Sequence, residues 1–96
     1  MKLYFRNSRN QKRLIAECET IQEVTAAINQ FLAEHNYKSY YTRIWHDPEG
    51  TKTPYGIKTE SRFIYDVGSY TEFFELEVVN EEIDTLPDNM KNLITS

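Results

Sequence analysis

An amphipathic helix is the clearest element in the pattern of apolar and polar positions. Six residues share the single stripe that spacings of three and four define: Ile21, Val24, Ile28, Phe31, Leu32 and His35. Thr20 and Glu23 form a capping box in front of this stripe, in which the Thr hydroxyl accepts from the Glu23 N–H and the Glu side chain reaches back. Asn36 is a suitable stop, because Asn tolerates left-handed backbone angles. The pattern predicts a helix over 21–35 with Ile28, Phe31 and Leu32 buried.

Period-two alternation and β-favouring residues predict strands on both sides of the helix. Residues 3–5 and 14–18 form a hairpin around the turn formers of 7–11, and 39–46, 62–67 and 72–79 form three later strands. The sequence Asp47-Pro48-Glu49-Gly50 predicts a turn, followed by a loop or an irregular hairpin arm through Pro54 and Gly56. In the last strand, Phe74, Leu76 and Val78 are expected to face the core, while Phe73, Glu75 and Glu77 face away.

The element order β-β-α-β-β-β predicts an α+β fold, with one α-helix packed on a mainly antiparallel sheet. We expect a single domain over 1–80 and a C-terminal tail over 81–96, for which a short helix around 90–94 and a frayed end both remain open. Since no second helix of comparable strength is predicted, one sheet face lacks an obvious cover.

Composition is that of one small globular domain. The 96 residues are 40% hydrophobic and 27% charged, and no apolar run approaches the roughly 20 residues of a membrane span. No signal-peptide pattern stands at the start, and a single cysteine cannot form an internal disulfide. These features predict a cytoplasmic protein without a membrane partner.

Charge is distributed unevenly along the chain. Residues 1–48 hold 7 basic and 5 acidic side chains and residues 49–96 hold 4 and 10, so the halves carry +2 and −6. Eight acidic residues lie between 66 and 88, without any Lys or Arg among them. The acidic stretch 66–84 is either an ordinary solvated surface or a negative face that docks on a basic protein.

The uncovered sheet face is the candidate partner-binding surface, because exposed aromatic patches are typical of interfaces. Six residues are predicted to contact the partner, three as aromatic anchors and three as complementary charge: Trp45, Tyr70, Phe73, Glu72, Glu75 and Glu77. The alternative is that the tail, the 47–61 loop or a second copy of the chain covers this face.

The hairpin loop 6–13 holds the only basic cluster. Arg6, Arg9, Lys12 and Arg13 could contact phosphates. The acidic overall charge and the lack of a nucleic-acid-binding motif favour a solvated hairpin tip instead.

Catalytic and metal-binding patterns are missing from the sequence. Cys18, His35 and His46 are scattered, Glu17 and Glu19 flank the cysteine, and no glycine-rich phosphate loop is present. We therefore predict no enzyme activity, no metal and no cofactor; Cys18 is expected to be a buried apolar residue, and His35 to have a structural role at the helix C-terminus.

Three segments carry a family resemblance: MKLYFRNS at 1–8, 31–45 with its NYKSYYTR, and YDVGSYTEFF at 65–74. Together they resemble small proteins of unknown function from phages and prophages of low-GC Gram-positive bacteria. The resemblance implies a phage origin and work in the cytoplasm of the bacterial host. It also implies an accessory protein that binds a bacterial host protein, as an inhibitor or by redirecting it. The alternatives are a self-associating structural or assembly protein, such as a homodimer, and a small nucleic-acid-binding module using the 6–13 loop.

Overall fold

The computed structural model describes residues 1–35, 43–52, 58–67 and 72–95. Its strands are β1 (Lys2–Arg6), β2 (Lys12–Glu17), β3 (Arg43–Lys52), β4 (Lys58–Asp66) and β5 (Phe73–Val79). The helices are α1 (Ile21–Glu34) and α2 (Asp88–Thr95), with a 3₁₀ helix, Asn80–Thr85, before α2. One helix packed on an antiparallel sheet confirms the predicted α+β class.

Helix α1 begins where the capping box predicted. The Thr20 hydroxyl accepts a hydrogen bond from the Glu23 N–H at 3.2 Å, and Glu23 Oε2 accepts from the Glu19 N–H at 2.9 Å, one residue before the cap. Val24, Ile28, Phe31 and Leu32 are buried, as the stripe predicted. The helix ends at Glu34 with His35 as its C-cap, and the expected stop at 36 lies outside the described residues.

The five strands form one antiparallel sheet in the order β2-β1-β5-β4-β3. Strand β1 therefore lies between its hairpin partner β2 and the distant strand β5, where Leu3 is opposite Leu76 and Phe5 is opposite Phe74. Strand β4 joins the other side of β5, with Phe63 opposite Leu76. This order brings the N-terminal hairpin next to the acidic strand, although they are far apart in sequence.

The turn predicted at 47–50 is wrong, because these residues lie inside β3. Strand β3 is the sheet edge, where the missing N–H of Pro48 removes no ladder bond that the sheet needs. The register with β4 also shifts between Asp47 and Thr51, which accommodates the proline and the glycine in a bulged strand.

The core lies between the sheet and α1, and both termini contribute to it. Phe63, Phe74, Leu76 and Val78 are completely buried on the helix side of the sheet. Residues 81–95 contain most of the 3₁₀ helix and α2, so the short-helix alternative for the tail is the one that the structure shows. Leu86 and Met90 of this segment belong to the same core cluster. Cys18 is buried as predicted.

Candidate protein-binding face

The sheet face opposite α1 is built by the alternate residues of all five strands. Strand register arranges its middle in two complete rows across the sheet. The first row is Trp45, Ile64, Glu75, Tyr4 and Leu14, and the second is Asp47, Arg62, Glu77, Lys2 and Glu17. Apolar residues dominate the first row and charges of alternating sign fill the second. We call this surface the outward face.

The outward face is separate from the core. The apolar residues of α1 and α2 belong to the cluster that contains Phe63, Phe74 and Leu76, whereas Trp45 and Phe73 do not. Among the residues that the structure describes, no helix packs on the outward face.

Two aromatic side chains form the apolar centre of the β3 half of this face. The Trp45 and Phe73 rings meet edge to face, with their centroids 6.2 Å apart. The Arg43 guanidinium lies 5.1 Å from the centre of the Trp45 ring, a cation–π arrangement that covers part of the indole. Both rings remain partly exposed, as binding anchors must be before a partner covers them.

An ion-pair network occupies the β1–β5 half. Glu75 Oε1 accepts from Arg6 Nε at 2.7 Å, and Lys12 Nζ lies 3.2 Å from Glu75 Oε2 and 2.9 Å from Glu77 Oε1. Lys12 also lies 4.2 Å above the Tyr4 ring. As a result Glu75 is only 5% exposed, although it points away from the core.

The network changes the acidity of its members. Burial by itself would raise the pKa of Glu75, but hydrogen bonds from Arg6 and Lys12 and their positive charges hold that pKa below its usual value. Burial would lower the pKa of Lys12, but hydrogen bonds to Glu77 and Glu75 raise it. Both side chains are therefore held in their charged forms.

The acidic stretch divides into two structural groups. Asp66, Glu75 and Glu77 lie on the outward face, where the described side chains include five basic and five acidic ones. Glu81 and Asp84 instead lie exposed in the 3₁₀ helix. Glu81 and Asp84 thus add negative charge next to the end of β5, outside the rows of the outward face.

The predicted contact residues are brought together only in part. Trp45, Phe73, Glu75 and Glu77 share the outward face, and Glu72 directly precedes β5. Tyr70 lies outside the described residues. Alternation along the third strand predicts that Arg43 shares the face of Trp45, although it was given no contact role, and Arg62 and Ile64 were missed. The alternation of β4 could have found Ile64, but its strand neighbours could not be known.

The basic hairpin does not present one surface. Arg6 and Lys12 turn to the outward face and pair with Glu75 and Glu77, whereas Arg13 lines a cavity on the helix side. Arg9 is exposed at the turn. Four cations that are adjacent in sequence are therefore divided between two sides of the sheet, which weakens the case for a joint phosphate contact.

Groups suited to catalysis or metal binding do not gather in the described part of the chain. No three His, Cys, Asp or Glu side chains there are close enough to hold a metal ion. Burial raises the pKa of the Cys18 thiol, which disfavours the nucleophilic thiolate. Within the same residues, no helix is long and apolar enough to cross a membrane.

Comparison with protein-family models, with curated proteins and with solved structures finds no match to this chain. The resemblance to small phage proteins therefore stays a prediction that rests on the three segments quoted for it.

Proposed function

We propose that this chain is a non-enzymatic protein-binding module that docks on another protein through its outward face. The observation that carries the proposal is the Trp45–Phe73 pair, which lies partly exposed on a sheet face that no described helix covers. Aromatic side chains of this kind are the usual anchors of protein interfaces.

The charges around Trp45 and Phe73 favour a partner with a matching charge pattern over any surface of one sign. The described side chains of the outward face include five basic and five acidic ones, so the partner surface should carry charges of both signs. Glu81 and Asp84 lie at the end of β5 and can steer a partner whose rim is basic. The resemblance to phage accessory proteins names the partner class as a bacterial host protein in the cytoplasm, which binding would inhibit or redirect.

Capture from a Gram-positive bacterial lysate tests this proposal. The bait chain is compared with its Phe73→Ala and Trp45→Ala variants, and with Gln22→Ala on the exposed side of α1 as the matched control. We expect one host protein to bind saturably in purified form. Phe73→Ala should weaken its affinity by about 2 kcal/mol, mainly through faster dissociation. Equal binding by all four chains would exclude the outward face.

Self-association through the same face is a second candidate, which its balanced charge favours. A two-fold axis along the row of Trp45 would place Asp47 opposite Arg43 of a second copy, and Glu17 opposite Lys12 of that copy. Pairing through the sheet edges is less suitable, because β2 is bulged and β3 contains Pro48. A sedimentation experiment separates the two candidates: a stable dimer that Phe73→Ala dissociates would favour the second.

A further inference from the structure

A cavity of about 230 Å³ lies on the helix side of the sheet, where the β1–β2 hairpin meets the last turn of α1. Its lining consists of Phe5, Asn7, Gln11, Arg13, Phe31 and His35. The outward face uses none of these side chains. The volume is below that of most sites for drug-sized ligands, so it suits a small molecule.

Aromatic rings form one wall of this cavity. The Phe5 and Phe31 centroids are 4.5 Å apart, and the His35 ring stacks on Phe31 at 4.0 Å with only 20° between the planes. His35 Nδ1 donates to the Phe31 carbonyl oxygen at 3.0 Å, which fixes the ring in this position. A flat apolar group can stack or pack edgewise against such a wall.

The amides of the cavity present hydrogen-bond donors. Asn7 Oδ1 accepts from the backbone N–H groups of Arg9 and Gln11, at 2.9 and 3.0 Å, so the orientation of this amide is fixed. Its Nδ2 donates to Gln11 Oε1 at 3.0 Å. The side-chain oxygens of both amides are thus engaged within the loop, and the Gln11 NH₂ group remains as a donor toward a ligand.

Arg13 adds a full positive charge to this donor set. Its neighbour Lys12 turns to the outward face, so the guanidinium of Arg13 is the strand's cation on the cavity side. It makes no ion pair or hydrogen bond with the residues that the structure describes. A guanidinium stays charged at all working pH values and matches the geometry of carboxylates and phosphates.

We propose that this cavity binds a small oxyanion with a flat aromatic body, an aryl carboxylate or an aryl phosphate. The acid group accepts hydrogen bonds from Arg13 and Gln11, and the ring packs against Phe5, Phe31 and His35. The Arg13 guanidinium and the Gln11 NH₂ group select the anion, and the aromatic wall selects the ring. This site is independent of the outward face, because the sheet separates the two.

An NMR titration of the full chain tests the proposal with four probes. Benzoate and phenyl phosphate carry both ring and charge, benzyl alcohol carries the ring alone, and acetate carries the charge alone. We expect saturable shifts of the Asn7, Gln11, Arg13 and His35 amides with at least one of the first two probes. The better of those two names the acid group that the site prefers. Benzyl alcohol lacks the charge-assisted hydrogen bond and acetate lacks the apolar packing of the ring, so each should bind at least about 10-fold more weakly.

Two matched variants separate a site from general attraction. Arg13→Gln should weaken binding about 10-fold, whereas Arg9→Gln makes the same charge change in the same loop, outside the cavity, and should leave it within about twofold. Both positions are exposed, and thermal melts will verify that both variants fold. Equal losses in the two variants, equal binding of benzyl alcohol, or no saturable shift in the folded chain would overturn the proposal.

Discussion

On the helix side of the sheet, Phe74, Leu76 and Val78 of β5 are completely buried, whereas Phe73 and Glu77 on the outward side of the same strand are partly exposed. The helix side forms one apolar cluster with α1 and α2. The outward face instead holds ion pairs and an aromatic pair without a covering helix in the described chain. Alternation along a single strand thus separates residues that stabilise the fold from residues that are available to a partner.

Phe73 and Phe74 test this separation most sharply, because they are adjacent residues of one type on opposite faces. Phe74→Ala should lower the free energy of unfolding by about 3–5 kcal/mol, since it leaves a large cavity beneath α1. Phe73→Ala should cost less than about 1.5 kcal/mol in the isolated chain, because its ring is already partly in water. Urea unfolding of both variants gives the two values. Similar losses would mean that the outward face also acts as a core.

Glu75 is expected to break the simple division, because it faces outward yet is buried. Glu75→Gln should cost about 1–3 kcal/mol at neutral pH, since it removes the charge that Arg6 and Lys12 share. The matched change Glu77→Gln, at a more exposed carboxylate with one of these partners, should cost less than about 1 kcal/mol. Chemical unfolding at pH 7 measures both. A larger loss of stability in Glu77→Gln would show that Glu77, and not Glu75, is the main acidic partner in the network.

The pH dependence of the Glu75→Gln effect tests whether the loss of stability comes from the lost charge. Because the pKa of Glu75 is lower in the folded chain than in the unfolded one, its stabilisation is complete above the unfolded value of about 4.3. It is lost as the pH falls through the folded value. The difference between wild type and Glu75→Gln should therefore be constant near neutrality and shrink below about pH 4. A constant difference down to pH 2 would assign the effect to shape and not to charge.

The smallest expected change in stability is that of Tyr65→Phe, on the helix side of the sheet. Its hydroxyl is buried without a hydrogen-bond partner among the described residues, and burial raises its pKa to about 12. Tyr65→Phe should change stability at pH 7 by less than about 1 kcal/mol, since no hydrogen bond is lost. Between pH 10 and about 12 the wild type should lose stability that the variant keeps, because the unfolded chain releases the phenolic proton first. Parallel alkaline titrations followed by circular dichroism would reveal this; identical curves would contradict it.

Local chemistry made much of this fold predictable from the sequence. Thr20 and Glu23 located the start of α1, and the alternation of Phe73 with Phe74 assigned both faces of β5. Pro48 misled because a proline is compatible with a strand only at an edge or a bulge, and edge position depends on the order of the whole sheet.

For the candidate sites, the sequence could predict which face of its own strand a side chain occupies, but not which other strand lies beside it. The sequence predicts that Trp45 and Phe73 share one face only if the strand register is assumed, and the contact between their rings agrees with that register. The pairing of Arg6 with Glu75 could not be foreseen, because it depends on β1 lying beside β5. For the same reason the sequence alone presents the basic loop and the acidic stretch as two separate surfaces, although half of the basic cluster neutralises part of the acidic one. The cavity at Arg13 was missed because it needs the hairpin and the end of α1 together.

The position of β1 beside β5 also has a consequence for the order of events during synthesis. Arg6 and Glu75 are 69 residues apart in the chain, and β1 cannot gain its second neighbour until β5 has left the ribosome. Until then, the hairpin and α1 have only local contacts, and a lone hairpin is marginally stable in water. Since closing such long loops slows folding, we expect sheet formation to be a late and concerted step. Most of the chain must then be synthesised before any part of it is stably folded.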